Sequence, residues 1–181
     1  MVGTCDGVTI DGVSVLGESL AGTVARQYGI YNNSGQAISN TTVRNCKLFG
    51  LQAGIAFNAD TSGTYSNGIC VNNYVDTMVG QVGGQGYGIF CANVEGMLIQ
   101  GNQIINCHRH SIYAARAQTS TTIEHGVLIT GNIIRNHRAT VPTTDVRPAI
   151  YARGYGLTIS NNQITNYFDG AIGVQVGLSE A

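Results

Sequence analysis

Short apolar runs separated by Asn and Gly recur along the chain at intervals of about thirty residues. The pattern is clearest in four segments, "CVNNYV" (70–75), "IQGNQI" (99–104), "ITGNII" (129–134) and "ISNNQI" (159–164). Weaker copies occur earlier, at 43–48 and 10–15. Each clear segment shares one asparagine, and these lie 29, 30 and 30 residues apart: Asn73, Asn102, Asn132 and Asn162. Self-similarity at such a period is the sequence signature of a repeat architecture.

A second set of short apolar segments interleaves with the first. Each is centred on an isoleucine, and the six are Ile30, Ile55, Ile89, Ile112, Ile150 and Ile172. Each repeat unit therefore has at least two strands rich in Ile and Val, with Gly and Asn at the turns between them. No stretch shows the periodicity and the caps of a helix.

Such a unit cannot bury its apolar face alone, so neighbouring units must stack on one another. Short strands with Asn at fixed turn positions and Gly-rich corners predict an all-β fold, a parallel β-helix of about six coils. With 181 residues the chain fits one domain, 1–181. The asparagines of successive coils are expected to bond to one another, and a second ladder is predicted at Asn106, Asn136 and Asn166.

On these residues the chain resembles the right-handed parallel β-helix of the pectate-lyase-like superfamily. That superfamily includes polysaccharide lyases, glycoside hydrolases, epimerases and the tailspikes of bacteriophages. The resemblance covers nearly the whole chain and is greatest to tailspike and polysaccharide-lyase domains, which implies a glycan ligand. It implies the fold more than the function, because one fold hosts many different sites. No complete catalytic signature of a single lyase family is present.

Stacking turns the alignment of repeats into columns on the outer surface. If each central isoleucine points inward, the following residue points outward, and that column is Tyr31, Ala56, Phe90, Tyr113, Tyr151 and Gly173. Three residues before each isoleucine lies a polar column, Gln27, Gln52, Gly86, Arg109, Arg147 and Asp169. Arg153 should share the face of Tyr151. Two insertions, 77–88 and 137–148, are expected beside the same face, and sites usually lie on such loops.

The charge of the chain is concentrated in the same region. The net charge is only −1, which argues against a general nucleic-acid-binding role, but residues 108–153 contain six arginines against two carboxylates and all four histidines. Guanidinium groups bind carboxylates bidentately, and aromatic rings pack on the apolar faces of sugars. The sequence predicts a face for an acidic polysaccharide, with these substrate-binding candidates: Phe90, His108, Arg138, Tyr151 and Arg153.

A lyase chemistry fits this face. Such an enzyme needs a cation at the uronate carboxylate, a base for the C5 proton and an acid for the leaving oxygen. Arg109 or Arg147 is a candidate for the first role, and His110 or Tyr113 is a candidate for proton transfer. Many lyases that this fold resembles use Ca²⁺, but the sequence has no acidic cluster to hold it, so no cofactor is expected.

A hydrolase chemistry fits less well. It needs two carboxylates about 5 to 10 Å apart, and the register aligns no pair among Glu124, Asp145 and Asp169. A lyase is therefore favoured over a hydrolase, while the question of whether the chain is an enzyme stays open. The candidate catalytic set is Arg109, His110, Tyr113, Arg147 and Asp169.

The segment "CHRH" (107–110) allows three interpretations. A metal site would need more ligands at a compatible geometry, whereas alternation along a strand sends neighbours to opposite faces. A nucleophile made of Cys107 and a histidine lacks an orienting third group. A polar corner between two strands needs neither. The aromatic column also has an alternative interpretation, lateral packing against another subunit, where Tyr is equally favoured.

Other features of the sequence bear on where the protein is made, where it acts and whether it is part of an assembly. The N-terminus lacks the pattern of a signal peptide, the five cysteines form no CxxC pair, and no apolar run reaches the roughly 18 residues of a membrane span. No capping helix is visible at either end, so we expect part of a longer chain or a subunit of an assembly. The resemblance to tailspikes implies a homotrimer, located on the virion or outside the cell after synthesis in a bacterial cytosol.

The predicted function is a tailspike-like domain that recognises an acidic cell-surface polysaccharide, with depolymerisation of that polysaccharide as an open question. Two alternatives remain. The first is a purely structural module of a virion fibre, spike or decoration protein, which would bury the aromatic column between subunits. The second is a free-standing polysaccharide lyase.

Overall fold

The computed structural model describes residues 6–18, 27–34, 38–59, 65–80, 85–115, 126–137, 147–167 and 170–175. In these residues all regular secondary structure is β-strand, arranged in three six-stranded sheets and one three-stranded sheet. The chain passes from sheet 1 to sheet 2 to sheet 3 and then returns, so each strand pairs with its counterparts one turn earlier and later. The all-β parallel β-helix predicted from the sequence is confirmed.

Every strand pair in the four sheets is parallel. Sheet 1 contains β1 (Thr9–Asp11), β5 (Thr42–Arg44), β9 (Ile69–Val71), β13 (Leu98–Gln100), β16 (Leu128–Thr130) and β19 (Thr158–Ser160). Sheet 2 contains β2 (Ser14–Leu16), β6 (Lys47–Phe49), β10 (Tyr74–Met78), β14 (Gln103–Cys107), β17 (Ile133–Arg135) and β20 (Gln163–Thr165). Sheet 3 contains β3 (Tyr28–Ser34), β7 (Ala53–Ala59), β11 (Tyr87–Ala92), β15 (Ile112–Ala115), β18 (Ile150–Arg153) and β21 (Ile172–Gln175). The short fourth sheet contains β4 (Ile38–Ser39), β8 (Tyr65–Ser66) and β12 (Val94–Glu95).

We define a coil as one consecutive strand from each of sheets 1, 2 and 3. Coil 1 therefore contains β1, β2 and β3, and coil 6 contains β19, β20 and β21. The described residues contain no helix that is long and apolar enough to cross a membrane.

The core lies between the three long sheets and consists of the inward residues of each strand. The central isoleucines of sheet 3 pair in register from Ile30 to Ile172, as predicted. Ile89, Ile112 and Ile150 are fully buried. Sheets 1 and 2 contribute further apolar side chains, which include Val43, Cys70, Ile99, Ile129, Leu48, Val75, Ile104 and Ile134. Because successive side chains alternate across a strand, this register also fixes which residues point outward.

A buried asparagine ladder occupies the corner between sheets 1 and 2. The Oδ1 of Asn102 accepts bonds from the backbone N–H of Asn73 at 2.9 Å and from its Nδ2 at 3.0 Å. The Nδ2 of Asn102 donates to the carbonyl of Cys70 at 3.0 Å and to Oδ1 of Asn132 at 2.9 Å. Asn132 bonds to Asn162 in the same way. The predicted ladder is confirmed, but the left-handed residue at each corner is the preceding one: Asn72, Gly101, Gly131 and Asn161.

The second predicted ladder lies at the corner between sheets 2 and 3, and its asparagines do have positive φ. Asn136 donates to Oδ1 of Asn106 at 3.2 Å, and Asn166 donates to Oδ1 of Asn136 at 3.1 Å. In coil 3 this position is Thr77, with a φ of 59° that a β-branched side chain rarely adopts. Asn106 donates instead to the Asp76 carboxylate at 2.8 Å.

The core is less well covered at the last coil than in the middle of the solenoid. Ile172 and Val174, which occupy inward positions of β21, are 49% and 51% exposed. Their counterparts one coil earlier, Ile150 and Ala152, are fully buried. These two inward positions of β21 are therefore open to solvent, whereas Ile159 and Ile164 of the same coil are partly buried against the core.

The ladder predicts a sharp contrast between two adjacent residues. Asn102→Ala removes the partner of several buried polar groups, so it should lower the free energy of unfolding by about 3 kcal/mol. Gln103→Ala, one residue on, changes an exposed outward side chain and should have an effect within about 0.5 kcal/mol. Urea unfolding followed by circular dichroism measures both. Similar small effects for the two variants would contradict a stabilising role of the ladder.

Candidate functional site

The outer face of sheet 3 displays the predicted aromatic column. Phe90 pairs with Tyr113, and Tyr113 pairs with Tyr151, so the three side chains lie on successive coils. All three are partly exposed. The column ends at Ala56 on one side and at Gly173 on the other, as the register predicts.

The rings of this column stack on one another. The centroids of Phe90 and Tyr113 are 5.1 Å apart with an interplanar angle of 7°, and those of Tyr113 and Tyr151 are 5.5 Å apart with an angle of 25°. Neighbouring rings therefore cover part of each other's faces. A ligand would therefore meet mainly ring edges along the column. We call Phe90, Tyr113 and Tyr151 the ring stack.

A second, buried layer of rings supports the ring stack. Tyr87 and His110 are only 4% and 3% exposed, and their rings stack at a centroid distance of 5.8 Å. Tyr87 also contacts Phe90 at 5.1 Å and Tyr113 at 5.4 Å. Tyr87 was not among the predicted site residues, because it follows the Gly-rich insertion. The available signal was its position two residues before Ile89, which matches that of His110 before Ile112.

Arg109 lies next to this buried layer. Its backbone N–H donates to the carbonyl of Gly86 at 2.9 Å, which confirms this part of the predicted polar column. The Cζ atom of its guanidinium lies 5.4 Å from the centroid of the Tyr87 ring, a cation–π distance. Its Nε is buried and has no hydrogen-bond partner among the described residues.

The other predicted cations of the described residues lie at different positions around β18. Arg147 is partly buried at the start of the segment that leads into β18. Arg153 is the last residue of β18 and is also partly exposed, in register with Ala115 and Gln175. The structure therefore brings Arg153 to the same sheet as Tyr151, as predicted. Two predicted site residues, Arg138 and Asp169, lie outside the described residues.

His110 is held as a neutral ring. Its Nδ1 lies 2.7 Å from the carbonyl oxygen of Pro148, so the ring donates its Nδ1 proton there. Burial lowers the pKa of His110 to about 3, with a smaller opposing effect of the Pro148 hydrogen bond. Near neutral pH this imidazole has only Nε2 left to accept a proton. Its proposed part in proton transfer stays a prediction, and that part can only be the role of a base.

The histidines on either side of His110 also contact the backbone. The Nδ1 of His108 accepts from the N–H of Gly80 at 3.3 Å, and burial lowers its pKa. His137 is fully buried, with Nε2 at 2.6 Å from the Arg147 carbonyl and Nδ1 at 3.3 Å from the Ser111 hydroxyl. These bonds hold the chain where it enters or leaves segments 81–84 and 138–146. The predicted role of His108 in substrate binding stays a prediction.

The "CHRH" segment forms a corner between two strands. β14 ends at Cys107 and β15 begins at Ile112. Burial raises the pKa of the Cys107 thiol to about 12, so a thiolate nucleophile is disfavoured there. Within the described ranges no group of three or more His, Cys, Asp or Glu side chains is placed to hold a metal ion.

Comparison with known proteins identifies a family. A family model described as a right-handed β-helix region matches residues 1–179, nearly the whole chain. A search of curated proteins finds no significant match. The family match supplies the handedness of the solenoid and agrees with the parallel sheets of the structure. It does not distinguish lyases, tailspikes and structural modules from one another.

From the burial of His110 we expect the free energy of unfolding to depend on pH. The pKa of His110 is about 3 in the folded chain and 6.5 as its ordinary value, so below pH 6.5 the unfolded state binds a proton that the folded state does not. Stability should therefore fall as the pH falls from 6.5 towards 3, by about 2 kcal/mol at pH 5 from this residue alone.

Urea unfolding at pH 7 and pH 5 measures this loss. His110→Gln should flatten the difference between the two pH values, because glutamine does not titrate. His108→Gln is the matched control, since His108 is only half-buried and should leave most of the pH dependence in place. An unchanged slope in His110→Gln would show that other groups cause it.

Proposed function

The chain belongs to the right-handed β-helix family, and on that premise we propose that the outer face of sheet 3 binds an anionic polysaccharide. The observation that carries the proposal is Arg109, whose Nε is buried against the Tyr87 ring without an acceptor among the described residues. Nε itself is closed to solvent, but Arg109 is partly exposed and its guanidinium has further N–H donors that can bind an acceptor supplied by a ligand. A carboxylate or sulfate group of a sugar is such an acceptor.

The charges around the ring stack support an anionic ligand. Arg109 precedes β15 in coil 4, while Arg147 precedes β18 and Arg153 ends it in coil 5. The outward columns of sheet 3 contain no carboxylate in their described residues. Guanidinium groups match planar anions such as carboxylates through parallel hydrogen bonds, which a neutral glycan cannot form in the same way.

The repeating geometry supports a polymer rather than a single sugar. The ring stack extends over three coils, with centroid steps of 5.1 and 5.5 Å. Its three rings are partly exposed, and its edges contain the Tyr hydroxyl groups, which can hydrogen-bond to a sugar. A chain of sugars lying along the column would contact several coils at once, so that weak contacts add up.

Cleavage by β-elimination is the chemistry that this face fits best. We propose that Arg109 or Arg147 neutralises the uronate carboxylate, which makes the C5 proton easier to remove. Tyr113 is the favoured group for proton transfer, because His110 donates its Nδ1 proton to Pro148 and keeps a low pKa. Hydrolysis would depend on carboxylates such as Asp169, which lies outside the described residues.

The biological setting that we propose is that of a tailspike-like protein, acting on the virion or outside the cell after synthesis in a bacterial cytosol. A purely structural role is the second candidate. The specific observation in its favour is the stacking of the rings on one another, which also suits a face buried between subunits.

Binding to a panel of acidic and neutral polysaccharides tests the proposal. Arg109→Ala should weaken binding to an acidic polysaccharide at least about tenfold, since a charge-assisted hydrogen bond contributes roughly 1.5–3 kcal/mol. Arg44→Ala is the matched control, because Arg44 lies on sheet 1 in an exposed ion pair with Asp11. Equal affinity for neutral glycans, or equal effects of the two variants, would contradict the proposal.

The same panel distinguishes a lyase from a binding domain. A lyase generates unsaturated sugars, whose ultraviolet absorbance rises with time. Tyr113→Phe should abolish that rise and retain binding if Tyr113 transfers protons. A flat trace for the native protein together with tight binding would assign the chain to the binding class, after an assay for new reducing ends has excluded hydrolysis.

A further inference from the structure

The outer face of sheet 2 carries a mixed pattern of apolar and charged side chains. One outward column contains Phe49, Asp76, Ile105, Arg135 and Thr165, on coils 2 to 6. The adjacent column contains Lys47, Tyr74, Gln103, Ile133 and Gln163. The apolar members of both columns are partly exposed: Phe49, Tyr74, Ile105 and Ile133. This face lies apart from the ring stack, which belongs to sheet 3.

The two charges of the first column are placed symmetrically about Ile105. Asp76 pairs with Ile105 from the coil before, and Arg135 pairs with it from the coil after. Their backbones lie two coil steps apart, about 10 Å along the solenoid, and the structure shows no ion pair between these two described residues. The ion pair found among the described residues joins Arg44 and Asp11, and Arg135 is exposed.

The Asp76 carboxylate is held in place by its own neighbours. Tyr74 donates its hydroxyl to Oδ2 at 3.2 Å, while Thr77 and Asn106 donate to Oδ1 at 3.0 and 2.8 Å. These bonds fix an anion at a defined height on the face and leave room at Oδ2 for a further donor, because a carboxylate oxygen can accept two bonds.

We infer that the outer face of sheet 2 is the interface of a homodimer in which the two solenoids run antiparallel. A two-fold axis along the strand direction at Ile105 would set coil 3 of one copy opposite coil 5 of the other. Asp76 of each copy then faces Arg135 of its partner copy, and the two Ile105 side chains meet at the axis. In the adjacent column Tyr74 faces Ile133, so apolar groups also meet.

Parallel arrangements fit this face poorly. With parallel solenoids, related by a two-fold or a three-fold axis, equal coils lie at the same height. Asp76 would then lie level with another Asp76, and Arg135 with another Arg135, so that like charges approach. The trimer predicted from the sequence would therefore have to use a different face.

The size of the face sets the expected strength. Five coils at about 4.8 Å and strands of about 10 Å give a patch of roughly 24 by 10 Å, or about 240 Å² per copy, which is well below the roughly 800 Å² per partner of a standard specific interface and fits only a weak association. The dimer should therefore be reversible and concentration-dependent. It leaves the outer face of sheet 3 open, so it does not depend on the proposed glycan binding.

Sedimentation of the full chain over a concentration series up to several hundred micromolar tests the inference. The native protein should shift from monomer to dimer. Arg135→Glu places a negative charge opposite Asp76 of the partner copy. The two-fold axis repeats this repulsion at a second contact, so the variant should weaken dimerisation about tenfold or more. Lys47→Glu makes the same change of charge opposite Gln163 and should have a much smaller effect.

A charge exchange decides the orientation. Asp76→Arg combined with Arg135→Glu restores opposite charges across the antiparallel interface, so the double variant should regain dimerisation. Thermal unfolding of each variant shows whether it is folded, and if the Asp76 change prevents folding, the comparison of Arg135→Glu with Lys47→Glu decides alone. A monomer at all concentrations, a trimer, or a dimer equally insensitive to both single variants would overturn the inference.

Discussion

In this solenoid the strands of each coil form their backbone hydrogen bonds with the coils above and below it. The same holds for the buried Asn102 and Asn132, whose amides have their partners on adjacent coils. One slip of register would expose the core isoleucines and leave these buried groups without partners. The register is therefore the constraint on which the rest of the structure depends.

This constraint is also what assembles the candidate site. Phe90, Tyr113 and Tyr151 are 23 and 38 residues apart in sequence, yet they stack because their strands are neighbours in sheet 3. Arg109 reaches Tyr87 for the same reason, through the pairing of its backbone with Gly86. On such a scaffold a functional site is formed by side chains at equivalent positions of successive coils. A residue is therefore best interpreted together with the residues at the same position one coil before and after it.

The repeat predicted the parallel β-helix, the columns and both asparagine ladders, because strand alternation and period are properties of the sequence itself. It did not predict the inner ring layer. Tyr87 follows a Gly-rich insertion of irregular length. The burial of His110 depends on the position of Pro148, to which it is hydrogen-bonded and which follows another insertion. The tilt of the rings is likewise set by packing, which no periodic pattern specifies. The positions of Arg138 and Asp169 stay predictions.

The most direct test of the proposed binding face is calorimetric titration with uronic-acid oligomers of increasing length. A face built from repeated columns predicts affinity that rises with each added sugar until the oligomer covers the ring stack, and then levels off. The same series with reduced, uncharged oligomers should bind far more weakly. Affinity independent of length and charge, or no binding of any oligomer, would contradict the account.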